Sequence, residues 1–372
     1  MNRAIPDTLH GLWSVENADR GEHLDGADQR IITGGTVMID SISGHVAASF
    51  ETRGGDGRTP RLRTAGRIAT GPEGAFIVDM GVDTRMVLQR LDDGRLRRID
   101  YSGHTREEDL TLAPTSTEID PAVARTTLLP PILFNTMPKS GSIFISRSLA
   151  RALGIGETKI AVSLFPDDLV LRDRLDTLAL GNLISQQHLP AREPNLRFLA
   201  NRLDRMIVHV RDPRQATLSW LHHLDNFHAH RELEPACRLG LEAVSPALPA
   251  DYFERDFAEK LDHLLSSHYA QLIEWTQNWV AAENTVPGLD IRITTFEEFV
   301  ADPRGFMAEV LAFFEIPETA FDDTNLPRRE AQTHFRVGRT DEWLEVFSED
   351  QKARANTLLP KDLCTRFAWR VT

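Results

Sequence analysis

The segment Pro138-Lys139-Ser140-Gly141-Ser142 joins an apolar run, residues 132–135, to a stretch with helical spacing, residues 143–153. A strand that ends in a short glycine turn and opens a helix gathers backbone N–H groups and the positive helix end around one point. Such a point suits an anion. Gly141 allows the tight turn, Ser140 and Ser142 bring hydroxyl donors, and Lys139 brings a mobile cation. The order of Gly and Lys is the reverse of G-x-x-x-x-G-K-[ST], where the hydroxyl after Lys orders Mg²⁺. Alone, the pentapeptide also suits a β-turn with a helix-capping serine.

A second constellation follows about 70 residues later. Residues 206–210 read as a buried strand that delivers Arg211 at its C-terminal edge, where ligands of open α/β sheets bind. Asp212-Pro213 turns the chain into a helix, and Ser219 lies eight residues after Arg211, just over two helical turns on. Arg211 and Ser219 can then converge on one phosphate. The alternative is that Arg211 pairs with Asp212 while Ser219 is simply buried. Between the two constellations, a β-prone run ends at His188-Leu189-Pro190. An imidazole there can take a proton from a hydroxyl near neutral pH, or hydrogen-bond locally.

These motifs together resemble the sulfotransferases that use 3′-phosphoadenosine-5′-phosphosulfate (PAPS). Residues 138–144 are similar to the family's 5′-phosphosulfate loop, P-K-S-G-[TS]-[TS]-W. Ile143 departs from the second hydroxyl, and Phe144 keeps an aromatic at the position that resembles the adenine-stacking one. Arg211-Asp212-Pro213 through Ser219 resembles the 3′-phosphate motif. His188 resembles the catalytic base of K-[TS]-H-x-P, with Gln186 where the family often has Lys. Arg336-Val337-Gly338 resembles the R-K-G segment over the 3′-phosphate; Val337 departs from the usual Lys, and Arg339 could compensate.

The resemblance implies catalytic Lys139 and His188. The implied PAPS ligands are Lys139, Ser140, Gly141, Ser142, Ile143, Phe144, Arg211, Ser219, Arg336, Val337 and Gly338, and the product is adenosine 3′,5′-bisphosphate. Implied acceptors are a small molecule, lipid or glycan bearing a hydroxyl or amine, with loops 165–182 and 221–255 lining their entrance. A nucleotide-dependent phosphotransferase and a noncatalytic PAPS-binding or other ligand-binding protein are the rival readings. Residues 295–317 resemble a further family stretch and read as core rather than site.

The elements that must position these residues fall into two regimes. Residues 1–120 hold short β-prone runs at 31–40, 46–52, 63–69, 74–80, 86–91 and 96–101, separated by Gly-rich turns. They predict a small antiparallel barrel or sandwich. Gly11-Leu12-Trp13 before this meander resembles lipocalin-like barrels. Residues 105–127 read as a polar linker. From 121 to 372, strands at 132–135, 159–165, 182–187, 206–210 and 291–296 alternate with helices, including 256–280 and 306–314. That alternation predicts a parallel central sheet flanked by helices, and the resemblance implies the P-loop NTPase-like sulfotransferase fold.

The 372 residues carry a formal net charge of −13. A field of that sign disfavours nucleic acid and anionic lipid surfaces, so a polyanionic ligand needs a locally built positive pocket. No apolar run is long enough for a transmembrane segment. Two cysteines and no signal-like apolar start give a cytoplasmic expectation. No metal is expected, although His222, His223, His228 and His230 crowd one region. A homo-oligomer is compatible with the sequence.

Overall fold

The computed structural model describes residues 5–16, 30–54, 61–71, 75–80, 84–102, 105–162, 164–325 and 338–370. A closed antiparallel barrel comes first, built from β1 (Gly11–Val15), β2 (Arg30–Asp40), β3 (His45–Gly54), β4 (Arg61–Thr70), β5 (Phe76–Asp79), β6 (Thr84–Arg90), β7 (Leu96–Ser102) and β8 (Thr105–Ser116). Each strand pairs with the next, and β8 returns to β1. Closure leaves no strand edge unpaired. Val37, Ile39, Val46, Ala48 and Phe50 fill the interior in strict alternation. Met38, Ala47 and Ala65 point the other way and are equally buried, because the outer wall packs against Leu180 and α1 (Pro121–Thr127).

The linker expected at 105–127 is therefore a strand followed by a helix. Leu110 and Leu112 alternate into the barrel, a two-residue period that the acidic residues before them obscure in the sequence. Pro114, which has no N–H to give, sits next to the register shift of the β1–β8 pair.

The second body contains β9 (Ile132–Thr136), α2 (Ser142–Leu153), β10 (Gly156–Glu157), β11 (Ala161–Val162), β12 (Leu169–Val170), α3 (Arg172–Leu178), β13 (Leu183–Gln187), α4 (Glu193–Ala200) and β14 (Arg205–Val210). It continues with α5 (Pro213–His230), α6 (Pro235–Val244), α7 (Phe257–Ser266), α8 (His268–Ala282), β15 (Asp290–Thr295), α9 (Phe296–Ala301) and α10 (Pro303–Phe313). The sheet order is β10-β13-β9-β14-β15, all parallel. Helices α3, α4, α5, α7 and α8 cover one face and α2, α9 and α10 the other. Every residue of β9 is buried, as two covered faces require. The chain starts in the middle strand and builds outward both ways, so a crevice opens at the C-terminal ends of β13, β9 and β14.

Two further element expectations change. The helix over 256–280 is two helices, broken at Ser267 (φ −124°, ψ −82°) after a capping box between Asp256 and Glu259 starts the first. The strand over 159–165 shrinks to β11, paired only with β12.

Arg63 joins the two bodies. It is fully buried on β4, donates to the carbonyl of Thr126 at 2.7 Å, and also donates to the carbonyl of Leu153, the last residue of α2. Burial, with Arg61 adding to it, pushes its guanidinium down to about 10. Gly154 ends α2 at φ 61°, and a Cβ there would lie 2.0 Å from the carbonyl oxygen of Arg61. Asn182 donates across the same seam to Thr64 and Thr127.

Candidate active site

Three strand ends bring Lys139, Arg211 and His188, three of the predicted residues, to one end of the sheet. From β9, the chain turns through Lys139 (φ 65°) and Gly141 (φ 76°) into α2. Left-handed residues in a tight loop gather N–H groups into an anion-binding concavity, and the first amides of α2 lack intrahelical partners. Only glycine fits at 141: a Cβ would sit 2.6 Å from the ring of Phe296. Ser140 turns its hydroxyl inward to the carbonyl of Met137 at 2.7 Å. Behind the loop, His209 of β14 spans Ser140 O (3.1 Å) and Thr294 Oγ1 (2.9 Å). Burial pushes His209 down to about 3, so this brace is neutral. Ser142 is buried at the helix start, and Ile143 is half-buried beside it.

Arg211 arrives from β14. Its guanidinium donates to Lys139 O at 2.7 Å and to Arg339 O at 2.6 Å, and stacks 4.2 Å over Phe296. The pairing of Arg211 with Asp212 does not form. Arg214, fully buried, takes both carboxylate oxygens of Asp212 at 2.9 and 2.7 Å. Two motifs far apart in sequence thus meet at one backbone carbonyl. The Lys139 ammonium is pushed down to about 8, by burial first and by Arg211 second. Ser219 lies half-buried on α5.

His188 follows β13. Its Nδ1 lies 2.6 Å from Thr136 O. A carbonyl only accepts, so Nδ1 carries the hydrogen and Nε2 holds the lone pair. Burial, followed by the charges of Lys159 and Lys139, pushes the ring down to about 4 against the raising effect of the Thr136 bond. The backbone after it is pinned: Leu189 O accepts from Asn135, Trp275 and Trp279, while Asn135 Oδ1 takes Leu189 N–H at 2.7 Å.

Other expectations fare differently. Phe144 packs against Phe299 at 6.1 Å between ring centres. Gly338 takes φ 69°, and Arg339 is engaged by Glu345 and Asp341. Arg336 and Val337 lie outside the described residues. No metal-holding cluster occurs among the described residues; His223 packs on Phe227 and His228 stacks on Phe253.

The sequence reading missed several residues of this crevice. Phe296 is core, as expected, and also lies under Arg211 and against Gly141. His268 stacks on Trp220 at 5.1 Å, and burial with His188 and Lys139 pushes it down to about 3. Its Nε2 is buried without a hydrogen-bond partner. Only a break in the expected long helix, at Ser267, could have flagged it. Lys159 reaches Gln186 from a separate loop.

Residues 129–336 match the family model described as the sulfotransferase domain. The chain belongs to that family. The matched residues start just after α1 and take in β9 to β15, while the barrel strands lie before them. No curated protein matches. Among solved structures, mouse sulfotransferase SULT7A1 complexed with PAP is 17% identical, with TM-score 0.42, covering 62% of this chain and 82% of its own. The sulfotransferase domain from the curacin biosynthetic pathway is 12% identical, with TM-score 0.41, covering 66% and 99%. A sulfotransferase from Alicyclobacillus acidocaldarius is 13% identical, with TM-score 0.33, covering 62% and 95%. Among the described residues, no helix of this sulfotransferase is long and apolar enough to cross a membrane.

Proposed function

We propose that this sulfotransferase moves the sulfuryl group of PAPS to a hydroxyl or amine of a small-molecule, lipid or glycan acceptor. The observation that carries the reading is the meeting of a glycine loop, a strand-end Arg211 and a histidine with its Nε2 lone pair free of hydrogen, all at one sheet edge. His188 Nε2 takes the acceptor proton as the acceptor atom bonds to sulfur. The bond from sulfur to the 5′-phosphate oxygen breaks in line, and adenosine 3′,5′-bisphosphate leaves. Lys139 and the loop N–H groups stabilise the charge that builds on the departing oxygen, the term that dominates such transfers. Ser142, Ile143 and Phe144 belong to the donor's 5′ half; Arg211, Ser219 and Arg336 through Gly338 belong to its 3′-phosphate.

On this reading the chain divides into a β accessory domain, residues 1–120, and a catalytic domain, residues 121–372. Radiolabelled PAPS incubated with fractionated small molecules, lipids and glycans, followed by mass spectrometry of the labelled product, tests the proposal. Binding of PAPS with no transfer to any fraction would leave a noncatalytic binding protein.

A further inference from the structure

Lys159 Nζ lies 2.6 Å from Gln186 O and 3.0 Å from Gln186 Oε1. Both must be acceptors, because an ammonium only donates. The carboxamide of Gln186 is thereby fixed: its other end is the NH₂ group. That group lies 2.9 Å from Thr136 Oγ1 and 3.4 Å from His188 Nε2. Thr136 Oγ1 in turn sends its hydrogen to Gln187 O at 3.1 Å. Donor and acceptor roles therefore propagate from one exposed lysine to the face of the imidazole on which a proton must land. An amide turned the other way would set a carbonyl oxygen against the Nε2 lone pair, an arrangement relieved only if Nε2 is protonated.

We propose that Lys159 is a positioning residue that keeps His188 Nε2 unprotonated until an acceptor arrives, acting through the carboxamide of Gln186. This rests on the reading of His188 as the base. Among the described residues, the other titratable groups acting on the ring are Lys139 from the loop and His268 from α8. Both persist when Lys159 is replaced. Lys159 itself feels Glu157, Asp168 and Arg147, and burial pushes Asp168 up to about 6. The acid side of the profile below about pH 6 must therefore be compared between variants rather than read from one protein alone.

The test uses the whole chain with ¹⁵N-labelled histidine, the His188 signal being assigned by its loss in His188→Gln. Wild type should show a neutral ring with hydrogen on Nδ1. In Lys159→Met and in Gln186→Leu, the His188 titration and the acid limb of kcat/KM should both move up by about one pH unit. KM for PAPS should stay within about twofold, and Lys159→Arg, which keeps the donors, should restore the wild-type profile. An unchanged ring signal and acid limb in both variants would overturn the proposal. If wild type transfers no sulfuryl group, the base assignment fails, while the ring signal still judges the relay.

Discussion

Lys139 should make ligand binding consume a proton. In the free protein its ammonium is pushed from the ordinary 10.5 down to about 8 by burial and by Arg211. A bound bisphosphate supplies counter-charge that returns it toward the ordinary value. Binding thus raises the lysine's affinity for its proton, and the associated gain is complete below pH 8 and fades as pH rises through 8 toward 10.5. At pH 9, about a tenth of the free protein carries this proton, against nearly all of the complex. Adenosine 3′,5′-bisphosphate should therefore bind about tenfold more weakly at pH 9 than at pH 7, a loss of about 1.3 kcal/mol, with about 0.9 proton taken up. The phosphates are half-titrated near pH 6 and contribute little in this window. Calorimetry in two buffers of different ionisation enthalpy measures both quantities. Lys139→Met should bind weakly at both values with no pH dependence. A flat affinity and no proton uptake in wild type between pH 7 and 9 would refute the argument.

His188→Asn should lower turnover by about 10²- to 10⁴-fold while bisphosphate affinity by calorimetry stays near wild type, since the proposed mechanism sets the ring against the acceptor rather than the nucleotide. Gly141→Ala forces a left-handed alanine, costing about 1–2 kcal/mol, and drives a Cβ into Phe296. Its bisphosphate affinity should fall by at least about tenfold, a loss that an unchanged titration would disprove. Arg63→Met leaves the carbonyls of Thr126 and Leu153 without their donor, so urea unfolding should show about 2–3 kcal/mol less stability.

Legibility in the sequence followed the range of the signal. Strand, turn and helix share one short stretch at 132–153, and Arg211 sits directly between its strand and its Asp-Pro cap, so both could be read locally. Strand β8 could not, because Thr105 to Asp109 are polar and, among the described side chains, Leu110 and Leu112 carry the inward alternation. Long-range contacts were invisible for a different reason. Asn135, His209, His268 and Lys159 acquire their roles only when elements separated by many residues touch, and no local spacing encodes which nitrogen meets which carbonyl. Sequence also left open whether Asp212 holds Arg211; the answer depends on Arg214, whose guanidinium lies 3.9 Å over the buried Trp343 ring while it grips Asp212.

Helix α2 has a different occupant at each end: the glycine loop opens it, and a barrel side chain, Arg63, closes it. At 12 residues it is a rod of roughly 18 Å with the proposed nucleotide cradle at its tip and the barrel as its footing. A shortened chain beginning near residue 129 would uncover the apolar patch around Leu180 and leave the rod's base hydrated and loose. Work on the catalytic half in isolation would then measure a cradle without its foundation.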